Sequence, residues 1–234
     1  MKKILLISAS GLSLAFASSA FAGTNTVDLS QSGLDLSGYF YQQGSQDSVY
    51  AVQTGYDNTI GEPGGTLYDF QQYGAHNSLT AYQGPGSYNT LNGEQKGWNN
   101  WILSEQYGNS STATIDQDVT DRGRNNGVTN SQGSNANLTA SQSDSNNYIY
   151  NNQDGYSTAV ITQDGRSNTS YGTQSGGVYG GQNYATVTQT GYENYSNYSQ
   201  AGWDNSVAVS QLGYHNSSTI AQSGIGNVAS VTQH

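Results

Sequence analysis

Gln189-Thr-Gly191-Tyr-Glu-Asn194, Gln200-Ala-Gly202-Trp-Asp-Asn205, Gln211-Leu-Gly213-Tyr-His-Asn216 and Gln222-Ser-Gly224-Ile-Gly-Asn227 follow one another at a spacing of 11, and Gln233 closes the series. Each Gln is followed two residues later by Gly and five residues later by Asn, and a fixed period of this kind marks a repeat architecture. Traced backwards, the register Gln recurs at 174, 163, 153, 142, 132, 117, 106, 95, 83, 72, 53, 42 and 31, which makes eighteen positions.

The departures from 11 test the repeat, because a structural repeat preserves its strands and takes up extra residues elsewhere. Side chains two, four and six residues before each Gln share its strand face, since a strand alternates with period two. From Gln132 these are Asn130, Val128 and Asn126; from Gln189 they are Val187, Ala185 and Asn183; from Gln95 they are Gly93, Leu91 and Asn89. All three precede irregular spacings, yet the column survives. The extra residues are expected between strands, at Asp118 to Asn125, Ser175 to Gln182 and Gly84 to Pro85, with the longest insertion around Glu62-Pro63-Gly64-Gly65. Asn25, Val27, Leu29 and Gln31 start the same pattern that Asn227, Ala229, Val231 and Gln233 end, and among all inward offsets the one charged residue is Asp47.

Each arm thus reads as a short strand and a tight turn, in which Gly191, Gly202, Gly213 and Gly224 supply positive φ and the following Asn or Asp bonds to local backbone. Two arms form a coil of about 22 residues. The expected fold is all-β: a parallel β-solenoid of about nine two-strand coils, with 18 short strands in two facing parallel sheets. Ala229, Ala185 and Ser218 alternate with Val231, Val187 and Ile220, which suits sheets in close approach. At the cross-β spacing nine coils rise roughly 43 Å. An unpaired buried amide costs on the order of 1–3 kcal/mol, but here each has a like neighbour one coil away. Gln189, Gln211 and Gln233 are expected to form one ladder and Gln200 with Gln222 another; Asn194 with Asn216, and Asn205 with Asn227, are expected to do the same, each side-chain amide donating to the next side-chain carbonyl.

Composition agrees. After the first 22 residues Leu, Ile, Val and Phe number only 30, while Gln and Asn together number 46, with 2 Pro and 0 Cys in the chain. So few large apolar residues lie below the usual floor for a globular core. Lys2 and Lys3, an apolar stretch from Ile4 to about Phe16 and the small-residue ending Ala20-Phe21-Ala22 read as a secretory signal peptide over 1–22, cleaved before Gly23, leaving 23–234 as one repeat domain. Nothing downstream approaches a membrane span of about 20 apolar residues. Lys96, Arg122, Arg124 and Arg166 then face 16 acids, a net charge of −12, so no nucleic-acid partner is expected.

The run Gln-x-Gly-x-x-Asn-x-Ala-x-x-x-Gln, complete at Gln222, Gly224, Asn227, Ala229 and Gln233, resembles the repeat of the curlin family, the subunits of bacterial curli fibres. The resemblance implies a protein secreted through an outer-membrane channel and converted to cross-β amyloid on the cell surface by a nucleator subunit, supporting biofilm matrix, surface adhesion and binding of matrix proteins. Known curlin subunits resemble five repeats behind a polar N-terminal targeting segment; this chain has about nine coils and almost no room before Asn25. The minor nucleator ends in a basic repeat, whereas this chain ends Ser230-Val231-Thr232-Gln233-His234, as a major subunit would.

Polymerisation is also expected from the ends, which carry no polar cap over their unpaired backbone. Asp118, Asp121, Asp144, Asp154 and Asp164 place acids in the central turns as candidate gatekeepers, and no acid follows Asp204. The segment Gln189 to His234 is therefore expected to assemble faster than Gln106 to Gln163. Tyr56, Trp98, Tyr156, Tyr192, Trp203 and Tyr214 all stand three residues after a register Gln. Tyr192, Trp203 and Tyr214 form a candidate exposed row, for which stacking along turn edges is the leading expectation and binding of dyes, glycans or matrix proteins the alternative.

Catalysis finds little support. His76, His215 and His234 lie far apart and the first two read as turn residues; Asp116, Asp118 and Asp121 lack the Gly and closing Glu of a calcium loop. Asn168 and Asn194 sit in sequons but face inward. No catalytic residue, cofactor or metal is expected. The competing function is a soluble monomeric solenoid whose outward Thr, Ser and Tyr face binds a glycan, a surface or ice; a nucleator role in the same fibre is a third reading.

Overall fold

A computed structural model describes residues 13–18, 24–61, 70–117, 124–176 and 181–234. Its described secondary structure is all strand, in two parallel sheets that the chain visits in alternation. Sheet I runs Thr26–Leu34, Ser48–Tyr56, Ser78–Gln83, Trp101–Gln106, Gly127–Gln132, Tyr148–Gln153, Thr169–Ser175, Tyr195–Trp203 and Ser217–Ile225. Sheet II runs Ser37–Ser45, then Thr59–Ile60 together with Phe70–Ala75, then Thr90–Trp98, Thr112–Gln117, Ala136–Ser145, Ser157–Arg166, Asn183–Tyr192, Ser206–Tyr214 and Val228–Gln233. The result is a β-solenoid of nine coils with one register Gln in each strand of each coil.

Register is exact in Gln: Gln31 pairs with Gln53, Gln95 with Gln117, Gln163 with Gln189 and Gln211 with Gln233. A slip of one residue would turn the whole inward set outwards. That set is buried as the period-two reading requires. Leu91, Ile115, Leu138, Ile161, Val187 and Val209 of sheet II face Leu79, Ile102, Val128, Ile149, Tyr198 and Ile220 of sheet I across one thin core. Small residues set the sheet separation. Ala185 and Ser218 are buried beside Val187 and Ile220, while Ala229 and Val231 of the last coil pack more loosely.

The longest insertion departs from expectation. It does not join one rung to the next but splits a single rung: Thr59–Ile60 pairs with Thr90 and Leu91, and after residues 62–69 the same rung resumes with Phe70–Ala75, where Gln72 pairs with Gln95. The rung tolerates this break because Phe70 fills the core next to Phe40, and both rings are buried. The other insertions do fall between strands, with Asp118 and Asp121 outside the described residues.

Within the segment expected to be a signal peptide, Ser13–Ser18 adds as a further parallel strand on sheet II, pairing Ser13 with Ser37 through Ser18 with Gln42. The expectation of a bare N-terminal edge therefore does not describe sheet II of the whole chain. No described helix is long and apolar enough to cross a membrane.

Candidate functional site: amide ladders and terminal coils

The register glutamines form two unbroken ladders. In sheet I the Nε2 of Gln31, Gln53, Gln83, Gln106, Gln132, Gln153, Gln174 and Gln200 each donates to the Oε1 of the next, ending at Gln222, at 2.6–3.2 Å. In sheet II Gln42, Gln72, Gln95, Gln117, Gln142, Gln163, Gln189 and Gln211 do the same, ending at Gln233, at 2.7–3.0 Å. Every amide points the same way along the axis.

The second Nε2 hydrogen crosses to the opposite sheet. Gln200 donates to the Tyr184 carbonyl at 3.0 Å and Gln211 to the Tyr195 carbonyl at 2.9 Å, each at the first residues of the facing strand. One side chain thus ties three strands. Its desolvation is met by partners of good geometry, as a buried amide requires.

Of the two expected asparagine pairs, Asn205 and Asn227 are joined side chain to side chain, whereas Asn216 meets Asn194 through its main chain. The main-chain N–H of Asn216 donates to Asn194 Oδ1 at 3.1 Å, and that of Asn227 to Asn205 Oδ1 at 3.2 Å. Asn194 Nδ2 donates to Asn168 Oδ1 at 3.1 Å and also to carbonyls of its own turn and of the next, Thr190 and Gly213. Only some steps add an amide-to-amide bond, such as Asn227 Nδ2 to Asn205 Oδ1 at 2.9 Å. The cause is position: these residues immediately precede a strand, where a turn N–H needs an acceptor and the short Asn side chain reaches it. Asn168 and Asn194, though in sequons, are buried in this column.

Turn geometry follows. Gly191, Gly202, Gly213 and Gly224 have φ of 104–115°, and the residue before each Asn is left-handed: Glu193, Asp204 and His215 at 55–58°. A Cβ on Gly191 would overlap the Gly213 carbonyl oxygen, so glycine is required by stacking as well as by φ. His76 and His215 take this same left-handed place, with His215 Nδ1 2.9 Å from Glu193 Oε2. Asp144, Asp154 and Asp164 lie exposed at turns; Asp164 accepts a hydrogen bond from Ser143 Oγ at 2.6 Å.

Tyr192, Trp203 and Tyr214 do not make one row. Arms 11 residues apart lie in opposite sheets, so Tyr192 stacks with Tyr214 at 6.5 Å on one edge while Trp203 pairs with Ile225 on the other. A longer ring array lies on the outer face of sheet I, unnoticed in the turn-based reading because its members stand at strand positions. Trp101 lies over Gly127 and reaches Tyr148 at 5.7 Å; Tyr148 and Tyr150 both meet Tyr171, which meets Tyr195 at 5.9 Å.

Inside, Tyr198 carries a polar thread: its hydroxyl lies 3.5 Å from Asn151 Oδ1, Asn151 donates to Asn130 at 3.0 Å, and Asn130 to Ser104 Oγ at 3.2 Å. Burial pushes the Tyr198 phenol above its ordinary value. Among the described residues no group of three or more His, Asp or Glu could hold a metal ion.

The ends are complementary. Gln31 Oε1 is buried without a donor. Gln222 and Gln233 each donate one Nε2 hydrogen to a carbonyl, that of Ser206 and of Ser217, and among the described residues the other Nε2 hydrogen has no Gln acceptor. A parallel solenoid whose rungs are Gln amides and whose turns are Gly-x-x-Asn defines a class of stacked-repeat protein. Residues 157–191 and 202–234 match the family model of the curlin associated repeat. No curated protein matches the chain.

Proposed function

We propose that the chain is a structural subunit, of the major type, of an extracellular curli-like amyloid fibre of the biofilm matrix and cell surface. The observation that carries this reading is the pair of same-direction ladders with an unmet acceptor at Gln31 and unspent donors at Gln222 and Gln233. A second copy placed above the last coil, in register, would let Gln222 donate to its Gln31 and Gln233 to its Gln42. The Asn columns would continue alongside, with the N–H of its Asn25 bonding to Asn216 Oδ1 and that of its Leu36 to Asn227 Oδ1. Cleavage before Gly23 removes the strand Ser13–Ser18 and opens the receiving edge of sheet II. Export through an outer-membrane channel, with initiation by a nucleator subunit, completes the reading by family.

Quiescent incubation of residues 23–234, with and without preformed seeds, followed by fibre diffraction, tests it. A lag abolished by seeds and a meridional reflection at about 4.7–4.8 Å are expected; a persistent folded monomer, seeded or not, overturns it. The ring array from Trp101 to Tyr195 favours a second reading, a monomeric module binding a glycan or surface through sheet I. Trp101→Ala with Tyr171→Ala should abolish such binding and leave assembly unchanged.

A further inference from the structure

Along one edge the turn column reads Asn25, Asp47, Asn77, Asn100, Asn126, Asn147, Asn168, Asn194 and Asn216, so a carboxylic acid stands where every other member is an amide. Asp47 is fully buried. Its N–H donates to Asn25 Oδ1 at 3.1 Å and its Oδ1 accepts the Asn77 N–H at 2.9 Å, so one oxygen does the work of an asparagine carbonyl. The other, Oδ2, is buried without a partner.

The amide members show what that position faces. Asn77 Nδ2 donates to the Tyr73 carbonyl four residues back at 3.0 Å and to the Gly97 carbonyl of the next coil at 3.2 Å; Asn147, Asn168 and Asn194 repeat the pair. At Asp47 the corresponding carbonyls are those of Gln43 and Gly74, since Gly44 stacks on Gly74. Two carbonyl oxygens turned towards this place attract a donor and repel a carboxylate. A protonated Oδ2 supplies that donor; an ionised one leaves an unpaired charge in a dry turn.

We propose that Asp47 is a proton site in the turn column, which locks the N-terminal coils when occupied and loosens them when empty. Burial raises the Asp47 carboxyl above its ordinary value, against the hydrogen bonds from Asn77 and a smaller opposing influence of His76. His76 is the titratable group acting on it from the coil above; Asn25 below and Asn77 above are neutral, and Asp28 and Tyr73 belong to the strands stacked on either side. The sign is fixed by linkage: with the folded value raised, the stabilisation is present below the unfolded value near 3.8 and is lost as pH rises through the folded one.

The test compares thermal unfolding of the purified chain with Asp47→Asn and with Asn100→Asp, which places a second carboxyl in the same column. Asp47→Asn is expected to raise Tm by roughly 2–4 °C at pH 7, with the gap closing on acidification. Asn100→Asp is expected to lower Tm at pH 7 and regain it in acid. An Asp47→Asn midpoint at or below the parent's at pH 7, or a gap that persists in acid, overturns the proposal. So does a carboxyl ¹³C titration placing Asp47 at or below the ordinary aspartate value of about 3.9. These readouts concern the folded single chain, so they stand or fall apart from fibre formation.

Discussion

The phenol of Tyr198 lies directly over Gly172, where a Cβ would overlap the ring and its oxygen. The two are neighbours in adjacent strands, Gly172 pairing with Tyr198, and the ring passes over the glycine to reach Asn151 in the next strand. Gly172→Ala should therefore overpack the core and cost about 1–3 kcal/mol in urea unfolding. Combined with Tyr198→Val, the loss should be smaller than the sum of the single losses; strict additivity would deny the contact.

A break inside a ladder orphans two groups at once. Gln142→Leu leaves Gln117 Nε2 without its acceptor and Gln163 Oε1 without its donor, both fully or almost fully buried. The expected loss is about 1–3 kcal/mol for each orphan, whereas Gln233→Leu, at the half-buried end, should change the unfolding midpoint far less.

Glycines in the last coil separate folding from stacking. A Cβ on Gly202 overlaps the Gly224 carbonyl, but one on Gly224 meets only Asn227 Nδ2, at 3.6 Å. Gly202→Ala should destabilise the monomer strongly. Gly224→Ala should cost it only the φ strain at +112° while slowing seeded elongation by at least tenfold, because an added coil would bring its own carbonyl to that place. Equal elongation rates for Gly224→Ala and the parent would show that copies do not continue this register.

Assembly should also be faster at the C-terminal end. The segment Gln189 to His234 has no acid after Asp204, while Gln106 to Gln163 includes Asp144 and Asp154, both exposed at turns. A shorter thioflavin lag for the first peptide is expected, and the lag of the second should shorten when both aspartates are changed to Asn.

The coil count, the two sheets and the Gln register were legible because period two within a strand and 22 between coils are both written in residue identity. Three features were not. The break at residues 62–69 lies within a rung, and only the pairing of Thr59 with Thr90 and of Gln72 with Gln95 reveals it. Trp203 was grouped with Tyr192 and Tyr214 by its distance from a register Gln, a distance that is blind to which edge of the solenoid an arm ends on. The asparagine columns copy the glutamine ladders only at some steps, such as Asn227 to Asn205, because a side chain one methylene shorter, placed just before a strand, also answers the backbone. Asp47 stood out as the single inward charge; that its second oxygen lacks a partner is a fact of three-dimensional stacking.

Because all sixteen glutamine bonds run from Nε2 towards the C-terminal side, their amide dipoles add along the solenoid rather than cancel. The molecule is in this respect a single aligned dipole, with an unbonded carbonyl oxygen, that of Gln31, towards one pole and amide hydrogen of Gln222 and Gln233 towards the other. Any filament built from it inherits a direction, and its two tips must differ in the charge they favour and in the speed at which they capture the next subunit.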